Sequence, residues 1–280
     1  MSTAATLSPP PVSSPVAQER MPVWLWPNVL CLDAPIVATI WQDFLSRCFA
    51  LSLRPSGRWT LALTVWAIYL GDRLLDVRLP AASAESGPHR FCRENRRMVT
   101  MLLAAVVAAD LLLCLLWLRR PVLWNGLAVF AGVGAYFGAF PVRRIEGAWK
   151  PLAAAGLFTV GVFLVAWTWV GQARPMLVGP AVVFAALCLA NLFLIQAWEQ
   201  GRGERAQAWG VGTFVFAAVC AGRALAGGLV AASLWYAAVA VGAFGLAALA
   251  FAGERLGRDA RRVLADAVLL SPLLLWTLAR

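Results

Sequence analysis

Long apolar segments separated by short polar ones recur from about residue 29 to the end of the chain. A helix needs roughly 20 predominantly apolar residues to cross a bilayer, and these segments reach that length. They show no apolar–polar alternation of period two, which is the pattern of barrel strands. We therefore predict an all-α, polytopic membrane protein with about nine transmembrane helices. The predicted spans are residues 29–51, 58–76, 98–118, 121–140, 152–171, 176–198, 208–230, 232–252 and 263–279.

The N-terminal segment before these spans is different, because it is rich in Pro, Ser and Ala. It lacks the basic stretch followed by an apolar stretch that marks a signal peptide. Such a composition buries too little apolar surface to offset the entropy of folding. We therefore predict a disordered cytoplasmic tail over residues 1–24 and a single transmembrane domain over residues 25–280.

Composition agrees with the apolar pattern. The chain is 61% hydrophobic and only 14% charged, whereas soluble domains carry about 25% charged residues. The net charge of +10 by itself allows a nucleic-acid partner. The basic residues, however, lie in short loops between apolar segments, as membrane topology requires. We therefore expect membrane lipid, and no nucleic acid, as a partner.

Basic residues concentrate in the loops after the second, fourth, sixth and eighth predicted spans. These residues include Arg78, Arg90, Arg93, Arg96, Arg97, Arg143, Arg144, Lys150, Arg202, Arg205, Arg255, Arg258, Arg261 and Arg262. Cytoplasmic loops carry an excess of Lys and Arg. This distribution predicts a cytoplasmic N-terminus and a C-terminus outside. The expected location is the inner (plasma) membrane of a bacterium.

Two acidic residues, Asp72 and Asp76, lie at the end of the second predicted span. Residues four apart on a helix share a face, so the two carboxylates repel each other unless a cation joins them. Mg²⁺ is commonly bound by one or two carboxylates together with phosphate oxygens and water. Nearby arginines, such as Arg73 and Arg78, would hold phosphate oxygens directly. Alternatively, the segment is an interfacial helix end whose acids pair with their own arginines.

A second polar helix end follows the sixth predicted span. Asn191 and Glu199 are two turns apart and share a face, and Arg202 follows them. We expect this end and the Asp72/Asp76 end to face one cavity, although a plain polar helix terminus is the alternative. Asp33 and Asp266 also fall near cytoplasmic ends of their spans, and we expect them to line the same cavity.

These motifs resemble those of the UbiA superfamily of intramembrane prenyltransferases, which has nine transmembrane helices. Asp72 and Asp76 match the two acids of the family's NxxxDxxxD motif at the end of helix two. "LDAPI" (residues 32–36) resembles the LDRPI-like start of helix one, and "FPVRRIEGAWKP" (residues 140–151) resembles the loop after helix four. The resemblance spans most of the chain from about residue 30 onward.

The resemblance implies a UbiA-like bundle and Mg²⁺-dependent transfer of a prenyl group from a prenyl diphosphate to an acceptor, aromatic or lipid-like. The implied catalytic residues and metal ligands are Asp72, Asp76 and Glu199. The metal and basic side chains would stabilise the leaving pyrophosphate, and aromatic rings would face the allylic cation. The implied substrate-binding residues are Asn191, Asp33, Tyr69, Trp198, Arg73, Arg78, Arg90, Arg93, Arg143, Arg144 and Arg202, and Trp41 and Trp66 are further candidates for the ring wall.

The chain departs from the family pattern at three positions. Ile68 falls where the first motif has Asn, Ile195 where the second motif has its first acid, and Glu199 where it has its last Asp. Two alternatives therefore stay open. One is a family member that keeps the fold and has lost catalysis, and the other is a transporter of lipids or small molecules.

Overall fold

The computed structural model describes residues 22–77, 87–143, 149–227 and 231–279, and every regular element within these ranges is helical. The α-helices are α1 (Trp26–Val29), α2 (Asp33–Cys48), α3 (Pro55–Asp76), α4 (Gly87–Glu94), α5 (Arg96–Trp117), α6 (Arg120–Arg143), α7 (Trp149–Trp169), α8 (Val178–Glu199), α9 (Gly203–Gly227), α10 (Ala231–Ala252) and α11 (Arg258–Val268). Short 3₁₀ segments lie at Val23–Leu25, Gly171–Leu177, Gly253–Arg255 and Ser271–Leu275.

The prediction of an all-helical membrane protein is confirmed at this level, but the count of nine spans is not. Among the described residues, five helices are long and apolar enough to cross a bilayer, or six if the bent pair at the N-terminal end is one span. The five are Arg96–Trp117, Trp149–Trp169, Pro175–Glu199, Gly203–Gly227 and Ala232–Ala252. α3, α6 and α11 also occupy predicted spans, but none of them is among these candidates.

The first predicted span, residues 29–51, is broken rather than continuous. The helical segments Val23–Val29 and Asp33–Cys48 meet at 79°, and Cys31 between them has a φ of 55°. A proline in the first turn of a helix is tolerated, whereas a proline further inside breaks it. The position of Pro35 therefore suits a helix that begins at Asp33, and the Asp33 carboxylate suits the positive end of the helix dipole.

The last predicted span, residues 263–279, is broken too. α11 ends at Val268, and a 3₁₀ segment resumes at Ser271. Pro272 has no backbone N–H to donate and restricts the residue before it, so the α-helix stops short of it.

An indole N–H from another helix satisfies a carbonyl at each of the two breaks. Trp66 donates to the carbonyl of Leu30 at 2.8 Å, and Trp41 donates to the carbonyl of Leu269 at 2.8 Å. A buried carbonyl without a partner is unfavourable, most of all in a bilayer. The two tryptophans therefore stabilise the breaks, a role that the sequence analysis did not assign to them.

The main core joins α2, α7, α8 and α10 around a cluster of aromatic rings. Trp41, Phe44, Phe163, Phe184 and Trp235 are all fully buried, and their ring centroids lie between 4.7 and 6.3 Å apart. Edge-to-face and tilted contacts predominate, as the ring quadrupole favours. This core holds the helices whose ends carry the polar site.

The helix directions place the acidic ends of α3 and α8 together with the beginnings of α2 and α7. At the other end of α2, Asp43 lies against Arg58 in the first turn of α3. Arg58 Nη1 donates to Asp43 Oδ2 at 3.0 Å, and Arg58 Nε lies 2.9 Å from Oδ1. This ion pair fixes α2 and α3 to each other at the end away from the site.

Candidate functional site

Asp72 and Asp76 lie one turn apart at the C-terminal end of α3, and one ammonium group approaches both. Lys150, near the start of α7, places Nζ 3.9 Å from Asp72 Oδ1 and 3.8 Å from Asp76 Oδ1. The three side chains are 36–45% exposed, so solvent screens the ion pairs. The two carboxylates therefore face a common point that a positive charge occupies.

The short helix α4 lies along the same end of α3 and adds a histidine. His89 Nε2 lies 4.0 Å from Asp76 Oδ2, and Cys92 Sγ approaches the carbonyl of Arg73 at 4.0 Å. A ring contact of 5.6 Å between Trp26 and Phe91 joins α4 to α1. α4 falls in a loop for which the sequence analysis predicted no helix, and it narrows the approach to the acid pair.

Arg73 contributes a second, more deeply buried cation. Its side chain is almost fully buried, and among the described residues its Nη1 has no hydrogen-bond partner. Its charge acts on both Asp72 and Asp76. A buried guanidinium nitrogen without an acceptor is unfavourable, whereas a phosphate oxygen would satisfy it with a charge-assisted bond.

A second polar group forms where α1, α2, α8 and α11 meet. Asn28 Nδ2 donates to Asp33 Oδ2 at 2.7 Å and lies 3.4 Å from Asp266 Oδ2. Asn191 Nδ2 donates to Asp266 Oδ1 at 3.2 Å. We call these four residues the Asp33/Asp266 cluster. Asp33 and Asp266 thus lie close together, each within 3.4 Å of the same amide nitrogen.

Arg262, one turn before Asp266 on α11, connects the cluster to the end of α8. Arg262 Nη1 donates to Glu199 Oε1 at 3.1 Å. Burial lowers the pKa of Arg262, but the carboxylates of Glu199, Asp266 and Asp33 outweigh burial and raise it above its usual value. Arg262 thus stays charged beside the cluster.

Two side chains relate the acid pair to the Asp33/Asp266 cluster. The charge of Arg262 acts on Asp72, and the charges of Asp33, Asp266 and Asp72 all act on the hydroxyl of Tyr69. The two groups of acids are therefore neighbours at one end of the helices, and Tyr69 is close to both.

No family model, no curated protein and no solved structure matches the chain. The resemblance to UbiA prenyltransferases therefore rests on the motifs alone.

The remaining predicted site residues are less closely associated. Trp198 is buried and packs against Gly253, where an added Cβ would lie 3.2 Å from the ring. Arg90 and Arg93 lie exposed on α4, and Arg202 is exposed just after α8. Arg143 is the last residue of α6, but its side chain lies outside the described part of the structure. Arg78 and Arg144 lie outside it entirely.

The acid pair fits Mg²⁺ only with help from a substrate. Among the described residues, no three His, Cys, Asp or Glu side chains come close enough together to hold a metal ion. Two carboxylates facing one point are nevertheless a common protein contribution to Mg²⁺, which adds water and phosphate oxygens. Glu199, predicted as a third ligand, forms an ion pair with Arg262.

Sequence reasoning missed Lys150, His89, Arg262 and Asn28 as site residues. Lys150 lies in the segment that resembles the loop after helix four, so this resemblance could have identified it as a site residue. Arg262 lies one turn from Asp266, which the sequence analysis had singled out. Nothing in the sequence around Asn28 indicated that it would meet residues from two other helices.

Proposed function

We propose that this chain is a membrane-embedded, Mg²⁺-dependent prenyltransferase, which transfers a prenyl group from a prenyl diphosphate to an acceptor, aromatic or lipid-like. The observation that carries the proposal is the convergence of Asp72 and Asp76 on the Lys150 ammonium at 3.9 and 3.8 Å. These groups are the polar part of a diphosphate site, because the carboxylates suit a metal cation and the ammonium suits a phosphate oxygen. The motif resemblance supports the same assignment.

Each residue of this site has a distinct task. Asp72 and Asp76 hold the metal, and Lys150 and the unpartnered Nη1 of Arg73 bind phosphate oxygens. The bound Mg²⁺ would supply charge neutralisation for the leaving pyrophosphate. The basic side chains hold the diphosphate so that its C1–O bond faces the apolar interior, and they stabilise charge as that bond breaks.

The surroundings suit a lipid-like donor. Only 11% of the residues in the apolar stretch of α5 are buried inside the protein. We therefore expect the outer face of α5 to contact lipid acyl chains. We propose a UbiA-like bundle with nine membrane-crossing segments, in which shorter and broken helices complete the count. From the distribution of arginines, we place the site on the cytoplasmic face of a bacterial inner membrane, with the N-terminus cytoplasmic and the C-terminus outside.

One observation favours a catalytically inactive member of the family instead. The acids of the site already have protein cations beside them: Lys150 lies between Asp72 and Asp76, and Arg262 binds Glu199. Such pairs would hold the helix ends together without any metal. The bent first helix, with its 79° break, is the feature that favours a transporter, because broken helices line many transport sites.

An assay on the purified full chain separates these functions. Protein in lipid nanodiscs is mixed with a labelled prenyl diphosphate and a panel of aromatic and lipid acceptors, with and without Mg²⁺. We expect Mg²⁺-dependent pyrophosphate release in the wild type and its loss in Asp72→Asn and Asp76→Asn. Asp110→Asn is the matched control, because Asp110 is an acid of α5 that accepts a bond from Thr64 outside the site.

Each alternative has its own result in this experiment. Binding of the prenyl diphosphate without turnover, lost in the same two variants, identifies an inactive family member. If the protein does not bind the diphosphate with or without Mg²⁺, the proposed function is refuted and a transporter becomes the favoured alternative. Turnover that persists unchanged in Asp72→Asn and Asp76→Asn refutes the assignment of the metal site.

A further inference from the structure

The Asp33/Asp266 cluster is a second polar site, built from parts of the chain that the acid pair does not use. Its four residues come from α1, α2, α8 and α11, and Asn28 and Asp266 are 238 positions apart in sequence. One nitrogen atom, Asn28 Nδ2, lies within 3.4 Å of both carboxylates. Two acids held this close share a single location from which a positive charge would contact both.

Both amides of the cluster have an oxygen without a partner. Asn28 and Asn191 are 2% and 5% exposed, and within the described chain neither Oδ1 accepts a hydrogen bond. A buried carbonyl oxygen of this kind is unfavourable unless a donor or a cation reaches it. The cluster therefore contains two carboxylates and two amide oxygens, all hard donors of the type that bind alkali and alkaline-earth cations.

The charges around the cluster leave one unit uncompensated. When both are ionised, Asp33 and Asp266 contribute two negative charges, and Arg262 on α11, whose charge interacts with both, also binds the exposed Glu199. Burying carboxylates without full compensation is strongly unfavourable. If Arg262 neutralises one of the two acids, a single further positive charge balances the site.

We propose that Asp33, Asp266, Asn28 and Asn191 bind one monovalent metal cation of the size of Na⁺. A half-turn of either amide about its last side-chain bond exchanges Nδ2 for Oδ1, so Oδ1 takes the place of the nitrogen that now donates to the carboxylates and becomes a cation ligand. Mg²⁺ is a poorer match, because it dehydrates reluctantly and prefers to keep several waters.

The helix breaks support this assignment. α2 begins at Asp33 after the break that follows α1, and α11 ends two residues after Asp266. Interrupted helices in membrane proteins place side chains and free backbone groups beside a buried ion. The proposal does not rest on prenyl transfer, since it shares no residue with Asp72 and Asp76.

The test compares cations at equal ionic strength and fixed pH. The full chain is purified in detergent in choline chloride and titrated with NaCl or KCl, while unfolding is followed by tryptophan fluorescence. We expect a saturable rise in Tm with Na⁺ that is lost in Asp33→Asn and Asp266→Asn. Asn191→Ala removes one neutral ligand and should weaken the apparent Kd roughly tenfold.

Two control variants separate this site from the others. Asp76→Asn removes an acid of the proposed diphosphate site, and Asp110→Asn removes an acid elsewhere in the bundle. Both should keep the full response to Na⁺. Direct binding of radioactive sodium to the wild type gives a second measurement that does not depend on the variants folding.

Three results would overturn the proposal. The first is a Tm that is the same in choline, Na⁺ and K⁺, with no bound sodium. The second is stabilisation by acid alone, which identifies a shared proton between the two carboxyls. The third is a response to Na⁺ that survives in both Asp33→Asn and Asp266→Asn.

Discussion

Removing the Lys150 ammonium tests whether the acid pair is a binding site or only an ion pair between helices. Lys150→Gln keeps most of the side chain and deletes its charge. The two ion pairs are close to 4 Å long and their members 36–45% exposed, so each contributes at most about 0.5 kcal/mol. The expected loss of stability is therefore about 1 kcal/mol, or about 2–4 °C in Tm.

The effect on binding should be much larger. A hydrogen bond to a charged group contributes about 1.5–3 kcal/mol, so losing the bond from Lys150 to a phosphate should weaken prenyl diphosphate binding about ten- to a hundredfold. The affinity is measured by titration calorimetry in nanodiscs with Mg²⁺ present, and Tm is measured on the same preparation. Lys150→Arg, which keeps the charge, should retain most of the affinity.

The reverse pattern would refute this reasoning. If Lys150→Gln lowers the Tm by far more than a few degrees while diphosphate affinity stays unchanged, the ammonium is a structural link between α3 and α7. The two carboxylates would then belong to an interhelical ion pair, and their resemblance to a metal-binding motif would have no functional meaning.

Three further predictions concern stability. In sodium-free buffer, Asp266→Asn removes one of two carboxyls that lie within 3.4 Å of the same amide nitrogen. It should therefore be at least as stable as wild type at neutral pH, and a lower Tm would contradict this. A Cβ at Gly245 would lie 2.5 Å from Val268 Cγ1, whereas a Cβ at Gly212 would meet no atom within 4 Å. Gly245→Ala should therefore lower the free energy of unfolding in detergent by about 1–3 kcal/mol, and Gly212→Ala should leave it unchanged. Arg58→Gln opens the 3.0 Å ion pair between α2 and α3 and should destabilise by about 1 kcal/mol, and an unchanged Tm would show that the pair is fully screened.

The positions of the helices followed from the spacing of apolar residues, because bilayer thickness and backbone hydrogen bonding leave few other solutions. The interruptions were missed because apolar content stays high across them. Pro35 and Pro272 marked both breaks, but a proline permits either a helix start or a kink, and packing decides which. The indole donors that stabilise these breaks come from other helices, which no local pattern reveals.

The candidate site was predictable where its residues share one helix. Asp72 and Asp76 were found from a four-residue spacing, and Asn191 and Glu199 from two helical turns. Lys150 and Arg262 were not selected, since their importance depends on which helix ends meet. The pairing of Glu199 with Arg262 at 3.1 Å depends on tertiary packing in the same way, because the two residues are 63 positions apart in sequence.

The Asp33/Asp266 cluster has a consequence for how this protein is made. A chain inserts into the bilayer from its N-terminus while synthesis continues, so Asn28, Asp33 and Asn191 enter the membrane long before residue 266 exists. During that interval a carboxylate and two amides have no partner from α11 and must keep contact with water or with the insertion machinery. The helices around the cluster can therefore pack together fully only after α11 has been synthesised. A chain that ends before α11 would leave these polar groups without their partner, and cellular quality control would recognise it as incompletely folded.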